Sequence, residues 1–204
     1  MRVGILGGTF DPPHIGHLLA ASDAVEALSL DQLVFIPNAR QPLKADAPVA
    51  AAEDRLAMVR LLCAGDPRFM VDDTEVRRGG LSFTVETLRE YRARAPAAAL
   101  FLLIGADVVE TLPSWRDPEA IAALAEVVVL IRSSDGTRPV PGSLDGVRQV
   151  ATRRVDVSST EIRARVRAGR RLTGFVPDAV AAYIAERGLY RTNDAAGAGE
   201  GNES

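Results

Sequence analysis

Two kinds of apolar run alternate along this chain. Short runs rich in β-branched residues, Arg2–Leu6, Leu33–Ile36, Phe69–Val71, Leu100–Ile104 and Val127–Ile131, are apolar at nearly every position, the pattern of strands covered on both faces. Between them lie longer segments with apolar residues three and four apart, which predict helices over Gly16–Leu28, Ala51–Ala64, an N-capping Ser82 to about Ala95, and Asp117–Ala125. Extended pieces follow at Val147–Val150 and Val155–Val157, then helices at Thr160–Ala168 and Pro177–Arg187, the last with proline in its first turn and Gly188 past its end. Pro12-Pro13, Pro37-Asn38, the segment Ala39–Val49 and Arg77–Gly80 read as loops or turns, and Ser133–Gly146 as a linker. Strands alternating with helices predict an α/β fold: a doubly wound parallel sheet with helices on both faces and a small helical C-terminal part. Ligands of such folds sit beyond the carboxyl ends of the strands, near the point where strand order reverses. Gly7–His17, Pro37–Lys44, Gly105–Trp115 and Arg132 fall at those ends.

The length, 204 residues, suits one domain, expected over 1–191, with a disordered acidic tail over 192–204. That tail accounts for the net charge of −3, because Asp194, Glu200 and Glu203 lie in it and the remainder carries 24 bases and 24 acids. A neutral body does not call for a polyanionic partner, so neither nucleic acid nor membrane is expected. No run reaches the ~18 apolar residues of a membrane helix, and the first residues lack a signal-peptide pattern. The single cysteine, Cys63, excludes an internal disulfide or a multi-cysteine metal cage. A cytoplasmic protein is expected. Lys44 is the lone lysine beside 23 arginines, which singles it out as a retained ammonium.

Both histidines of the chain, His14 and His17, fall in Gly7-Gly8-Thr9-Phe10-Asp11-Pro12-Pro13-His14-Ile15-Gly16-His17, directly after the first strand. Glycines there let backbone approach a ligand closely, and free amides at the start of the next helix favour phosphate oxygens. Two imidazoles at the same turn add hydrogen-bond donors for phosphate. Competing phosphate loops fit worse: a Walker A loop needs Lys-Ser or Lys-Thr after its last glycine, and Gly4, Gly7 and Gly8 lack the dinucleotide offset. Two histidines are too few for a zinc site. Asp11 reads as a turn former ahead of Pro12.

Gly7-Gly8-Thr9-Phe10-Asp11-Pro12 with His14-x-Gly16-His17 resembles the His-x-Gly-His signature of the nucleotidylyltransferase superfamily, and the lead-in is most like the bacterial nicotinate-nucleotide adenylyltransferases. Pro37-Asn38, Pro42-x-Lys44, Ser82-Phe83-Thr84, Gly105-Ala106-Asp107, Trp115, Ser158-Ser159-Thr160-x-Ile162-Arg163 and Gly188-Leu189-Tyr190 continue the resemblance in order, up to about Arg191. It implies a Rossmann-like sheet and an enzyme that transfers the adenylyl group of ATP to nicotinate mononucleotide, giving deamido-NAD and pyrophosphate. His14 and His17 would be catalytic. ATP would lie against Gly7, Gly8, Thr9, Phe10, His14, His17, Gly105, Asp107, Arg132, Ser158, Ser159, Thr160 and Arg163. The mononucleotide would lie against Thr9, Lys44, Phe83, Thr84 and Trp115, with Trp115 stacked on the pyridine ring and amides near Thr84 on its carboxylate. Phe83 stands where relatives commonly carry Tyr, Leu43 where His is frequent, and Ser133-Ser134 where Pro-Gly is usual. Mg²⁺ would come with the ATP phosphates rather than occupy a protein metal site. A homo-oligomer stays open. Two other readings are another adenylyltransferase of the superfamily, such as a phosphopantetheine adenylyltransferase, and a non-catalytic nucleotide-binding protein. The segment around Trp115 speaks against the first and the intact histidine pair against the second.

Overall fold

A computed structural model of the chain describes residues 1–42, 49–133 and 147–191, the side chains of Arg132 and Ser133 excepted. Its six strands are β1 (Arg2–Gly8), β2 (Gln32–Pro37), β3 (Phe69–Val71), β4 (Ala99–Gly105), β5 (Glu126–Ser133) and β6 (Arg148–Arg153). They form one sheet in the order β3-β2-β1-β4-β5-β6, and every neighbouring pair is parallel. The doubly wound, Rossmann-like expectation therefore holds, with strand order reversing beside β1.

Period-two alternation divides the core. Val3 and Ile5 of β1, Val34 and Ile36 of β2, and Leu100, Leu102 and Ile104 of β4 face one side, where they meet Val85 and Leu88 of α4 (Thr84–Arg94) and Ile121 of α5 (Pro118–Leu124). Leu6, Leu33, Phe35, Phe101 and Leu103 face the other. There they meet Ala21, Ala24 and Val25 of α1 (Ile15–Leu28), Met58 and Val59 of α2 (Ala52–Cys63), Ile162 of α6 (Ser159–Arg167), and Val180 and Ile184 of α7 (Asp178–Glu186). A strand apolar at every position is thus buried twice, which is why these runs do not alternate in polarity.

Three local expectations are corrected and one element is added. Ser82 is not the cap of α4; Phe83 occupies that position, and the Ser82 hydroxyl accepts the Ala39 amide at 3.0 Å, a tertiary partner that outcompetes the local cap. Part of the expected turn at Arg77–Gly80 is helical: Thr74–Arg78 forms the short helix α3, started by Asp72, which accepts the Thr74 amide at 2.8 Å. Ala106–Ser114, left without an element by the sequence pattern, is a 3₁₀ helix. Val155–Val157 is no strand; the Val157 amide bonds back to the Val155 carbonyl at 2.9 Å, turning the chain from β6 into α6. The expected linker and tail lie outside the described residues, apart from Ser133 at the end of β5.

Candidate active site

The carboxyl ends of β1 and β4 open into a cavity of about 870 Å³. At its β1 end the chain runs Gly7, Gly8, Thr9 and Phe10 before α1 begins, and these residues, with His17, line the wall. Phe10 has left-handed backbone (φ 49°) and is 3% exposed. Its ring meets Phe35 at 5.9 Å and the edge of His17 at 5.1 Å between centroids. A Cβ on Gly8 would lie 2.8 Å from the Phe10 ring, so Gly8 lets the folded-back phenyl group pack there. Likewise, a Cβ on Gly16 would lie 3.0 Å from His14 Nδ1, which explains the glycine between the two histidines.

His14 is the N-cap of α1 and is buried, while its ring stacks on His17 at 3.8 Å with a 33° tilt. The His14 backbone N–H donates to His17 Nδ1 at 3.2 Å. A ring nitrogen that accepts an N–H carries no proton, so the His17 ring proton in this arrangement sits on Nε2. The helix start thereby orients the histidine on the cavity wall.

This turn is held from beneath by a buried polar scaffold. Arg55 of α2 is 1% exposed and donates to the carbonyls of Thr9 (2.6 Å), Asn38 (2.8 Å), Ala39 (3.0 Å) and Ala50 (3.3 Å). One guanidinium thus ties together the loops after β1 and β2. Burial pulls its pKa below the ordinary arginine value, opposed by the charge of Asp11. Asp11 accepts the amides of Val49 (2.7 Å) and Ala50 (3.1 Å) and the Tyr190 hydroxyl (2.8 Å). Burial, followed by the neighbouring Asp11 carboxylate, pushes the Tyr190 hydroxyl far up, keeping it a donor. Arg163 of α6 donates to the Asp11 carbonyl at 2.7 Å, and the Ser159 hydroxyl donates to the Pro12 carbonyl at 2.8 Å. Ser158 caps α6 by accepting the Glu161 amide at 3.1 Å. Asp11 is thus more than a turn former, because it joins the histidine loop to the C-terminal end of the described chain.

The far end of the cavity is built differently. Phe83, Thr84, Trp115 and Arg116 line it, with Gly105 and Asp107 between the two ends. Trp115 is half-buried after the 3₁₀ helix, its indole N–H bonded to Thr111 Oγ1 at 3.0 Å. Thr84 opens α4, whose first amides have no carbonyl one turn back to bond. Glu75 of α3 also lines the wall and is 7% exposed. Burial pushes its carboxyl up; hydrogen bonds from Thr87 (2.6 Å) and Ser82 and the charge of Arg78 partly offset that. A Cβ on Gly105 would collide with Asp107 Oδ1, so the glycine makes room for that carboxylate.

Of the residues singled out by sequence, Gly7, Gly8, Thr9, Phe10, His17, Phe83, Thr84, Gly105, Asp107 and Trp115 share this one cavity. His14 lies behind His17 as helix cap and stacking partner. Ser158, Ser159, Thr160 and Arg163 are grouped at the start of α6 outside the cavity lining; Ser159 and Arg163 brace the histidine loop, while Ser158 and Thr160 bond within α6. Lys44 and the side chain of Arg132 lie outside the described residues. Arg55 and Glu75 were missed. Arg55 left a trace, because it shares a helix stripe with Val59 and Leu62, and a charge on an apolar stripe marks a buried contact. Glu75 left none, since α3 has five residues and shows no period.

A parallel sheet with a His-x-Gly-His turn at the reversal of strand order defines a nucleotide-handling α/β protein, and comparison with known proteins agrees. The chain belongs to the cytidylyltransferase-like family, whose model matches residues 5–165. It is 52% identical to the Gemmatimonas aurantiaca protein named "Probable nicotinate-nucleotide adenylyltransferase", over 94% of this chain and 93% of that one. A protein of the same name from Thermus thermophilus is 44% identical over 94% of this chain and all of its own length. Among solved structures, a Plasmodium falciparum nicotinic acid mononucleotide adenylyltransferase complexed with NaAD superposes with a TM-score of 0.72. It covers 93% of this chain and 97% of its own, at 15% identity, a likeness of fold.

Proposed function

We infer that the protein is a nicotinate-nucleotide adenylyltransferase, which joins the adenylyl group of ATP to nicotinate mononucleotide with release of pyrophosphate. One observation carries this reading: a single cavity has a histidine-lined phosphate turn at one end and a half-buried tryptophan beside a helix start at the other. That pairing of features suits a molecule with phosphates in the middle and a flat, charged ring at its end. Relatives over nearly the whole chain bear the same name.

In the reaction a phosphate oxygen of the mononucleotide attacks the α-phosphorus of ATP in line. The new P–O bond forms as the bond to the pyrophosphate oxygen breaks. The attacking phosphate is already ionised near neutral pH, so no protein nucleophile is needed and catalysis rests on positioning and charge stabilisation. His17 donates from Nε2 to the oxygens around the α-phosphorus, where negative charge shifts in the transition state. His14 keeps that ring in register. Trp115 stacks on the pyridine ring, and the first amides of α4 receive its carboxylate. Mg²⁺ would accompany ATP and neutralise charge on its phosphates.

The test is pyrophosphate release from Mg-ATP with nicotinate mononucleotide, nicotinamide mononucleotide and phosphopantetheine supplied separately. Release fastest with the nicotinate nucleotide is expected. Release only with phosphopantetheine, or ATP binding without release from any of the three, overturns the reading.

A further inference from the structure

Resting on that reading, we propose that the Arg116 side chain is the charge that selects the acid over the amide at the ring end of the cavity. Four charged or titratable side chains line the described wall: His17, Glu75, Asp107 and Arg116. Glu75 and Asp107 are carboxylic acids, and His17 belongs to the opposite end. Arg116 is therefore the one permanent cation among the described lining residues to meet a substrate carboxylate entering between Trp115 and Thr84.

Two contacts orient it. The guanidinium carbon lies 4.7 Å from the centroid of the Phe83 ring, a cation–π stack. Arg116 Nη1 donates to Glu86 Oε1 at 2.8 Å. The next carboxylate along the chain, Asp117, is engaged elsewhere, by Arg89 and by the Ala120 amide. The planar guanidinium has five N–H donors, so one bond to Glu86 leaves others for a second carboxylate. Phe83 contributes a flat apolar face, and the stack explains how a ring without a hydroxyl suits this position: it holds a cation where a phenol would have offered a neutral donor. Glu86 orients Arg116 but also competes with the substrate for its charge. Arg116 is 56% exposed and Glu86 34%, so the pair is accessible to an entering ligand.

The two substitutions should have opposite signs. Arg116→Gln removes the charge, and kcat/KM for nicotinate mononucleotide should fall roughly tenfold through KM, while that for nicotinamide mononucleotide stays within about twofold. Arg116→Lys should restore part of the preference, and raised salt should erode it in the native enzyme. Glu86→Gln removes the competitor, and preference for the acid should rise a few-fold. Quenching of Trp115, the only tryptophan of the chain, gives the same comparison by binding alone. Equal loss for both nucleotides in Arg116→Gln would mean that Arg116 only props Phe83, and an unchanged ratio would mean that the helix amides alone select; either overturns the proposal. These outcomes differ from failure of the broader reading, in which the native enzyme does not turn over the nicotinate nucleotide.

Discussion

The two ends of the cavity are held by different physics. At the phosphate end the supporting groups are buried: Arg55 is 1% exposed and Asp11 6%. Their partners are backbone carbonyls, backbone amides and a tyrosine hydroxyl drawn from four separate segments. At the ring end the supporting ion pairs Arg116–Glu86 and Arg89–Asp117 are at least one-third exposed at every partner. Exposed pairs contribute little stability and tolerate rearrangement, whereas a buried guanidinium with four carbonyl partners permits one arrangement. The lesson is that this cavity keeps rigidity where charge must be stabilised during reaction, and adaptability where a ring must enter and leave.

If that division is right, substitutions at the two ends should affect different quantities. The largest effect is expected from Arg55→Met, which leaves the carbonyls of Thr9, Asn38, Ala39 and Ala50 without their donor. Denaturant melts should show a loss of about 3–5 kcal/mol, as for other broken buried charge networks. A loss below about 1 kcal/mol would mean that the scaffold carries no such load. Next comes His17→Ala, with kcat expected to fall about 10²–10³-fold and the dissociation constant for ATP nearly unchanged, because one preorganised donor to the reacting phosphate is removed. Near-native turnover would place the chemistry elsewhere. Trp115→Ala should raise KM for the nicotinate and nicotinamide nucleotides alike by about tenfold, since stacking does not read the substituent. A selective loss of the acid preference would assign discrimination to the wrong residue.

The smallest effect concerns pH. Asp72 ties the start of α3 to α4; burial alone would raise its carboxyl, but bonds from Thr74 and Tyr91 and the charge of Arg94 outweigh burial and hold it below the ordinary value. A carboxyl depressed in the folded state stabilises above its unfolded pKa, and that contribution is lost as pH falls through the folded value. Asp72→Asn should therefore cost about 1 kcal/mol near pH 7 and progressively less below about pH 4. A cost that grows on acidification would reverse the sign.

The same contrast explains what could be seen in the sequence. The central strands were legible because burial on both faces leaves no polar positions, as in Leu100–Ile104, whereas the edge strand β6, with Arg148, Gln149 and Arg153 exposed, was read only as Val147–Val150. Gly8 and Gly16 were legible as a turn, although their reason, the Phe10 ring and the His14 ring, is tertiary. Ser82 was misplaced because its hydroxyl serves Ala39, forty-three residues away in sequence. The 3₁₀ helix at Ala106–Ser114 went unseen because its 3₁₀ turn does not follow the α-helical period and Pro113 lies within it. Tyr190 was noted only as part of a closing motif; its bond to Asp11 spans 179 residues and leaves no local mark. Surface pairs such as Arg116–Glu86 cross between a loop and a helix, so no spacing rule joins them.

A double-mutant cycle between His17 and Trp115 tests the division most directly, with kcat/KM for nicotinate mononucleotide measured in both single variants and in the His17→Ala, Trp115→Ala double variant. If one end stabilises the reacting phosphate and the other only binds the ring, the two losses should add to within about 0.5 kcal/mol. A coupling above about 1 kcal/mol would contradict the division, because the two ends would then act as one unit.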